Sequence, residues 1–535
     1  MRKEKRMKRR KVAAMLACTM LASGLLAGCG ADESSSTAEG ETAESTSEDG
    51  ETSEGSASFT VLVDDNSSTG EYRMVEAINE QTGITMTTEQ YPNELATEKL
   101  SLALSAGSYP DCIGGWLIQD TDILKYGMNQ QLFVPLEDYI EEYAPNIQKV
   151  LDMDGVREAM TAPDGHIYSI PYVVEAPLVD YQIIVNTEWL KNVGMEMPTT
   201  TEEFEAVLKA FKEQDANGNG DPNDEIPLGF DPDNMNITYM MGWFGASCDE
   251  FGMTMDDGEL KFVANTDEFK EGVKYLNGLY SQGLIDNEAF TQDKSQWKAK
   301  GGKDLYGAVM TYASSDYMPY NAGETPNWEP LPVLSSPNCD DPKWYQDSEG
   351  VSILRTQLVV TNNAKDIPSI MKWWNAVYEE ENSIQIANGV LDKTLFKEDG
   401  GYRKIDVGTL PEDEQDYYAW ANLFPQALPR NIPVGFKPLQ DPPMFDEKAV
   451  VNERYKDHLT GKVPAYWVPL EQADEMGEIQ NALKEYMEQC VAKWIAGQAD
   501  VDEEWDGYCD YLETLGLQDY IDMRLETAAE AQSAE

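Results

Sequence analysis

Apolar residues in the body of the chain recur with two periods. Residues 59–63 form a compact β-rich run, and after a polar turn 74–81 has helical spacing. Residues 83–88 alternate like a strand, 94–105 returns to helix, and 110–113 reads as a buried strand halted at Gly114-Gly115. Strand, helix, strand, helix, strand at this short spacing predicts a mainly parallel sheet covered by helices, an α/β fold. Farther along, apolar positions at helical spacing cover 202–212, 267–282, 367–380 and 477–497. Each predicts a half-buried helix. Strand-like runs recur at 181–185, 307–311 and 357–361.

The N-terminus follows a different pattern. Eight basic side chains crowd residues 2–11 against the single Glu4, an apolar run covers 12–26, and the run closes on Leu26-Ala27-Gly28-Cys29. A basic stretch, a short apolar run and small residues before a cut form the layout of a secretory signal. The run is too short to cross about 30 Å of hydrocarbon comfortably. Its closing tetrapeptide resembles the bacterial lipobox, which implies a lipid on the Cys29 sulfur and removal of residues 1–28. Residues 32–58 then hold no aromatic or large aliphatic side chain and are dominated by Ser, Thr, Glu and Gly. Such a segment cannot offset its ordering entropy, so 29–58 is expected to be a disordered acidic tether. The folded body would then sit on the extracellular face of a bacterial cytoplasmic membrane, held only by the lipid.

Composition narrows the function classes. The formal charge of −57 repels nucleic acid and anionic membrane surfaces, so no nucleic-acid partner is expected. After Gly28 no run of eighteen apolar residues occurs. Of seven cysteines, Cys18 leaves with the signal and Cys29 carries lipid. The other five are odd in number and widely spaced without a C-x-x-C pair, which argues against a disulfide framework and a zinc site. The two histidines, His166 and His458, read as a turn residue and a surface residue. No nucleophile elbow, P-loop, H-E-x-x-H or dinucleotide-binding glycine pattern is present, and the chain is expected not to be an enzyme.

Several local sequences resemble one family. They are Ser108-Tyr-Pro-Asp111, Asp164-Gly-His-Ile-Tyr-Ser-Ile-Pro171, Val185-Asn-Thr-Glu-Trp-Leu190, Met197-Pro-Thr-Thr200 with Phe204, Asp215-Ala-Asn-Gly-Asn-Gly220, Tyr275-Leu-Asn-Gly-Leu-Tyr280 with Gly283-Leu-Ile285, and Gly307-Ala-Val-Met310. In this order, behind a lipobox, they resemble bacterial extracellular solute-binding proteins of the large sugar-binding group, the branch that includes alginate-oligosaccharide and LplA/LipO-type lipoproteins. The resemblance covers nearly everything after residue 59. It implies a two-lobed periplasmic-binding-protein-like fold with a hinge and an interlobe ligand cleft. By that resemblance the first lobe holds 59–172 plus 305–350, the second 173–304 plus 362–535, and 351–361 is a hinge crossing. It also implies a monomer that captures an oligosaccharide by hinge closure and hands it to ABC transporter permease subunits. A peptide or another small solute, a membrane sensor as partner, and a glycan-active enzyme remain alternatives.

Two sets of residues are candidates for chemistry. Asp215, Asn217 and Asn219, with Gly220 for the sharp turn, match the opening of an EF-hand loop, where hard oxygen donors at alternate positions wrap Ca²⁺. Position twelve is Ile226 rather than Glu. By the family's similar loops Asp224 and Glu225 supply the missing carboxylates, with Asp221 between, and the ion is structural. Sugar sites stack apolar ring faces on aromatic side chains. Ligands of open α/β sheets gather at the carboxyl ends of strands, which selects Trp116 after 110–113 and Tyr312 and Tyr317 after 307–310. Tyr172 is chosen as the first crossing, and Tyr239 and Trp243 by similarity to maltodextrin-type binders. Trp373 and Trp374 read as helix core; Arg355 and Arg430 stand out in so acidic a chain, and a buried ion pair explains either as well as a place in the site.

Overall fold

Two four-stranded sheets, each with its own apolar core, organise the body of the chain. The computed structural model describes residues 57–63, 71–91, 93–175, 179–232, 235–256, 259–316, 326–346, 351–441, 446–463 and 466–534. The expected signal and residues 29–56 of the expected tether, with Cys29, lie outside these, and so does Tyr317; the tether's expected end at residue 58 is corrected, because Ser58 is already paired in the first sheet.

The first sheet begins as the hydrophobic pattern predicts. Strand β1 (Ser58–Val63), helix α1 (Arg73–Thr82), strand β2 (Thr85–Gln90), helix α2 (Asn93–Ala106) and strand β3 (Cys112–Gly114) follow in order. β1 lies between β2 and β3 and pairs with both in parallel, Val61 opposite Thr88 and Cys112. Phe59, Val61, Leu62 and Val63 are all buried, as expected where helices cover both faces of a parallel sheet. Gly83 ends α1 with a positive φ of 69°, a conformation that costs a glycine nothing.

The chain leaves this sheet through β4 (Tyr172–Glu175) and enters the second through β5 (Gln182–Asn186). Helix α3 (Thr201–Glu213), strand β6 (Ile226–Phe230), helix α4 (Asp267–Ser281), strand β7 (Tyr306–Thr311) and strand β8 (Trp328–Pro330) complete the second layer, with strand order β8-β5-β7-β6. Thr200 caps α3 by accepting from the Glu203 amide at 3.2 Å. Gly307 has no alternative: a Cβ there would lie 2.4 Å from Phe211 and 2.8 Å from Trp189.

The chain then returns. Strand β9 (Val351–Leu354) pairs antiparallel with β4, forming a separate two-stranded ribbon between the sheets, and β10 (Leu358–Val360) joins the first sheet beside β3. Helix α5 (Ile367–Val377) packs on the first core, its Trp373 ring 5.6 Å from that of Phe59. Helices α6 (Glu447–Tyr455), α7 (Leu470–Ile495), α8 (Val501–Leu515) and α9 (Leu517–Ala534) contribute Val451, Tyr455, Trp494, Tyr508 and Tyr520 to the second core.

Two expected boundaries are corrected by this pairing. The 305–350 segment was assigned to the first lobe, yet β7 is hydrogen-bonded into the second sheet, Gln182 opposite Thr311 and Leu228 opposite Ala308. Residues from 362 onward were assigned to the second lobe, yet α5, with Trp373 and Trp374 as core residues, covers the first sheet. An apolar stripe says which face of a helix is buried but not which sheet buries it. Within 351–361, only β9 belongs to the ribbon; β10 is a strand of the first sheet. The five cysteines of the body are all free. Among the described residues no helix is long and apolar enough to cross a membrane.

Candidate functional site

The carboxyl ends of the parallel strands define one edge of each sheet. In the first sheet this edge lies at Val63, Gln90 and Gly114, beside the start of β10. In the second it lies at Phe230 and Thr311, beside the start of β5. The ribbon strands meet the first edge where Ile170 donates to Leu358 and where Arg355 follows β9. At the second edge Asp180 and Tyr181 lead into Gln182, the first residue of β5. Lys462 pairs with Asp180, while Trp467 Nε1 donates to the Ala159 carbonyl at 2.9 Å.

On the first edge Trp116 stands 59% exposed just past β3. Arg355 is buried and ion-paired with Asp120, its Nε donating to Oδ1 at 2.9 Å, and its guanidinium lies 4.0 Å over the Trp467 ring. Tyr417 and Trp420, 46% and 49% exposed, stand near the amino end of α1, where the Met74 amide donates to Leu423. The Arg73 guanidinium covers the Tyr417 ring at 3.9 Å.

On the second edge the Tyr312 ring is 40% exposed, with Tyr181 edge-on at 5.9 Å and the Lys448 ammonium 4.0 Å from its centroid. Lys448 also donates to the carbonyls of Val179 and Tyr312, to the Asp180 carbonyl at 2.6 Å and to Gln182 Oε1 at 3.0 Å. Beside it the buried Glu447 carboxylate accepts from Gln182 Nε2 at 2.7 Å and from the Ser314 amide and hydroxyl. Burial lowers the Lys448 ammonium to about 8, opposed by the charges of Glu447, Asp180 and Asp316. Asp231, at the end of β6, is buried and paired with Lys294.

The aromatic candidates therefore separate. Trp116 and Tyr312 lie where the carboxyl-end rule puts them, each with exposed ring surface. Trp243 does not: it is 1% exposed, wedged edge-on against Phe204 and Tyr275, and has no ring face to offer. Tyr239 is closed in by Trp344 and Tyr345. Tyr172 is buried at the start of β4 with Arg430 5.4 Å from its ring. All three rings are buried in this structure, Tyr239 and Trp243 in the second core and Tyr172 on the ribbon beside Arg430. Arg355 makes the anticipated ion pair, whereas the buried Arg430 engages the Tyr172 ring and the Gln426 carbonyl. Sequence reasoning passed over Tyr181, Glu447, Lys448, Tyr417 and Trp420. Applying the edge rule to the amino end of an antiparallel strand selects Tyr181. Nothing local marks the α6 residues.

The 215–225 loop curls between α3 and β6, with Gly218 and Gly220 at φ 72° and 93°. Both Asp215 oxygens accept from the Gly220 amide, and the Asp224 carboxylate accepts from the Asn217 and Asn219 side chains at 3.1 and 2.9 Å. The Asp221 amide donates to Asn219 Oδ1 at 2.7 Å. Glu225 Oε1 accepts from the Ala216 amide, while Oε2 is buried with no hydrogen-bond partner. Burial pushes this carboxyl above its ordinary range. Ile226 is already the first residue of β6, which explains why the loop's last carboxylates come early. Among the described residues no group of three or more His, Cys, Asp or Glu is set close enough to hold a metal. The carboxylates are instead engaged by amide donors.

Two α/β lobes joined by a ribbon, with exposed aromatics on the facing strand ends, define a ligand-binding protein of the two-lobed class. Residues 73–366 match the bacterial extracellular solute-binding protein family, and the chain belongs to it. It is 29% identical over 482 residues to the fructooligosaccharide ABC transporter substrate-binding protein FusA of Streptococcus pneumoniae serotype 4, covering 84% of this chain and 85% of that one. Lipoprotein LipO of Bacillus subtilis is 24% identical over 353 residues, covering 62% and 66%. Among solved structures, S. pneumoniae FusA in complex with kestose superposes with a TM-score of 0.78 at 26% identity, covering 89% of this chain and all of that one. An EF-hand mutant of FusA in complex with fructo-nystose gives the same TM-score of 0.78 and identity of 26%, over 89% of this chain and 100% of that one.

Proposed function

We propose that this protein captures an oligosaccharide outside the cell and delivers it to the permease of an ABC importer. One observation carries the reading: Trp116 and Tyr312 are exposed aromatics on the strand-end edges of two sheets connected by a narrow ribbon. Rings so placed stack on opposite faces or successive units of a sugar chain. A sugar bridging both edges favours the closed arrangement in proportion to its extra contacts there. Closure turns on the β4–β9 ribbon. Fructose oligomers are the first ligands to test, given what FusA binds.

The remaining features fit this role. Lipid on Cys29 and the acidic tether hold the monomer at the extracellular face of the membrane, beside its permease. The 215–225 loop supplies oxygen donors of the hard type that calcium takes. The Glu225 oxygen is the loop's one buried donor without a partner, and calcium would draw in Asp215 and Asp224 by displacing the amides that now hold them, with Asn217, Asn219 and Asp221 completing the set. The ion would pin the turn between α3 and β6 and take no part in capture.

The test is thermal unfolding of the tether-free body against kestose, nystose and oligosaccharides of other linkages. A native-state ligand raises the melting temperature with concentration. Recovery of intact sugar with such a shift supports capture, recovery of cleaved sugar overturns it in favour of an enzyme, and a flat panel removes the sugar class.

A further inference from the structure

The second edge contains a buried amine whose position sequence patterns do not suggest. Lys448 lies in the first turn of α6, and its ammonium reaches two separate stretches of chain. One is 179–182, with Val179, Asp180 and Gln182 at the start of β5, and the other is Tyr312 just past β7. To Tyr312 it is bound twice, through the carbonyl and over the ring at 4.0 Å. Neighbouring contacts repeat the pattern. The Val179 amide donates to Asn452 Oδ1 at 3.0 Å, and Glu447 holds Gln182 and Ser314. A core staple would not need a half-exposed ring as one of its partners.

We infer that Lys448 is the positioning residue of the second ligand edge, fixing the plane of the Tyr312 ring and tying it to Val179, Asp180 and Gln182 at the start of β5. The inference rests on the oligosaccharide reading only for what stacks on the ring. Charged groups facing the amine are Glu447 on its own helix, Asp180 before β5, itself paired with Lys462, and Asp316 after β7. Behind these lie Tyr181, whose phenol burial pushes up, and Asp231, paired with Lys294. Of this set Lys448 is the group that changes charge near pH 8.

The experiment places 4-fluorophenylalanine at position 312, which removes the phenol's own titration, and follows its ¹⁹F resonance from pH 6.5 to 9.5. It is run on the otherwise unaltered protein, on K448R and on K448M, without ligand and then with kestose. The expected result is a shift of the resonance with a midpoint of about 8, absent in both variants. K448R keeps a narrow line, and K448M broadens it and weakens kestose binding about tenfold, the scale of a desolvated cation–π contact. If K448M does not fold, K448R decides alone: the charge is retained and the pH step must vanish. A resonance that is flat with pH, or a pH step that persists in K448R, overturns the inference. A step that vanishes as expected, with a resonance that kestose leaves unmoved, keeps the positioning role and sinks the fructose-oligomer reading of this edge.

Discussion

Trp467 donates its indole N–H to the carbonyl of Ala159 at 2.9 Å, joining residues 308 positions apart in sequence. Trp467 lies between α6 and α7, which pack in the second core, whereas Ala159 is flanked by Val156 and Met160 of the first. Arg355, at the end of the ribbon, lies over the same indole and donates to the Tyr466 carbonyl at 3.3 Å. One side chain thus braces the end of the ribbon against the first sheet, where it also packs beside the cluster of Leu62, Ile113 and Val359. W467F, which keeps the ring and removes the donor, is expected to cost about 1 kcal/mol in urea unfolding. It should also raise the radius of gyration of the ligand-free protein in small-angle scattering. An unchanged scattering curve with the same loss of stability makes Trp467 a packing residue only.

Exposure decides what each aromatic truncation should do. W116A and Y312A remove exposed rings and are expected to weaken sugar binding by about ten- to a hundredfold while changing stability by less than about 1 kcal/mol. W243A empties a fully enclosed site and should destabilise the fold by about 3–5 kcal/mol. Calorimetric titration paired with urea melts separates the two. A loss of binding in W243A without loss of stability would reverse the assignment.

The order of the first five elements could be read from the sequence because each lies next to its spatial neighbour, so short-range periodicity and chain connectivity agree. The same logic located Trp116 and Tyr312, since a strand's end is visible wherever its apolar run stops. It failed at β7 and α5. Between β6 and β7 the chain makes a long excursion through α4, and nothing in the run 307–311 reveals that its partner is Gln182–Asn186. Tyr239 and Trp243 failed for a related reason: aromatic residues in short helices carry no label for which way they face. Lys448 was illegible because its partners Val179, Gln182 and Tyr312 are more than a hundred residues away, and only the folded chain collects them.

The EF-hand-like loop predicts a calcium response with a specific address. With the ion at a hundred times its dissociation constant, stability should rise by about 3 kcal/mol, and a chelator should remove that gain. D224A deletes the carboxylate on which Asn217 and Asn219 converge and is expected to abolish the response. D256A, in the antiparallel pair of Met253–Asp256 with Glu259–Phe262, should retain it. Differential scanning calorimetry with calcium or chelator reads all three proteins. A response that survives D224A and D215A together places the ion elsewhere.

Asp249 gives stability a pH dependence whose sign is fixed by burial. Its Oδ1 accepts from the Phe251 and Met253 amides at 2.9 and 2.8 Å, but the carboxyl is buried beside Cys248 and lifted to about 7, with Arg524 only partly offsetting the burial. The folded state therefore holds a proton that the unfolded chain, titrating near 3.8, has already released. The associated stability is full below about pH 4 and is lost as pH rises through 7. D249N keeps an acceptor oxygen for both amides and carries no charge. It should exceed the parent protein in stability by roughly 4 kcal/mol at pH 8, with the difference closing towards pH 4. Urea unfolding of both proteins at pH 4, 6 and 8 tests this. A constant difference across that range would mean that the carboxyl's environment in the turn, and not its ionisation, sets the effect.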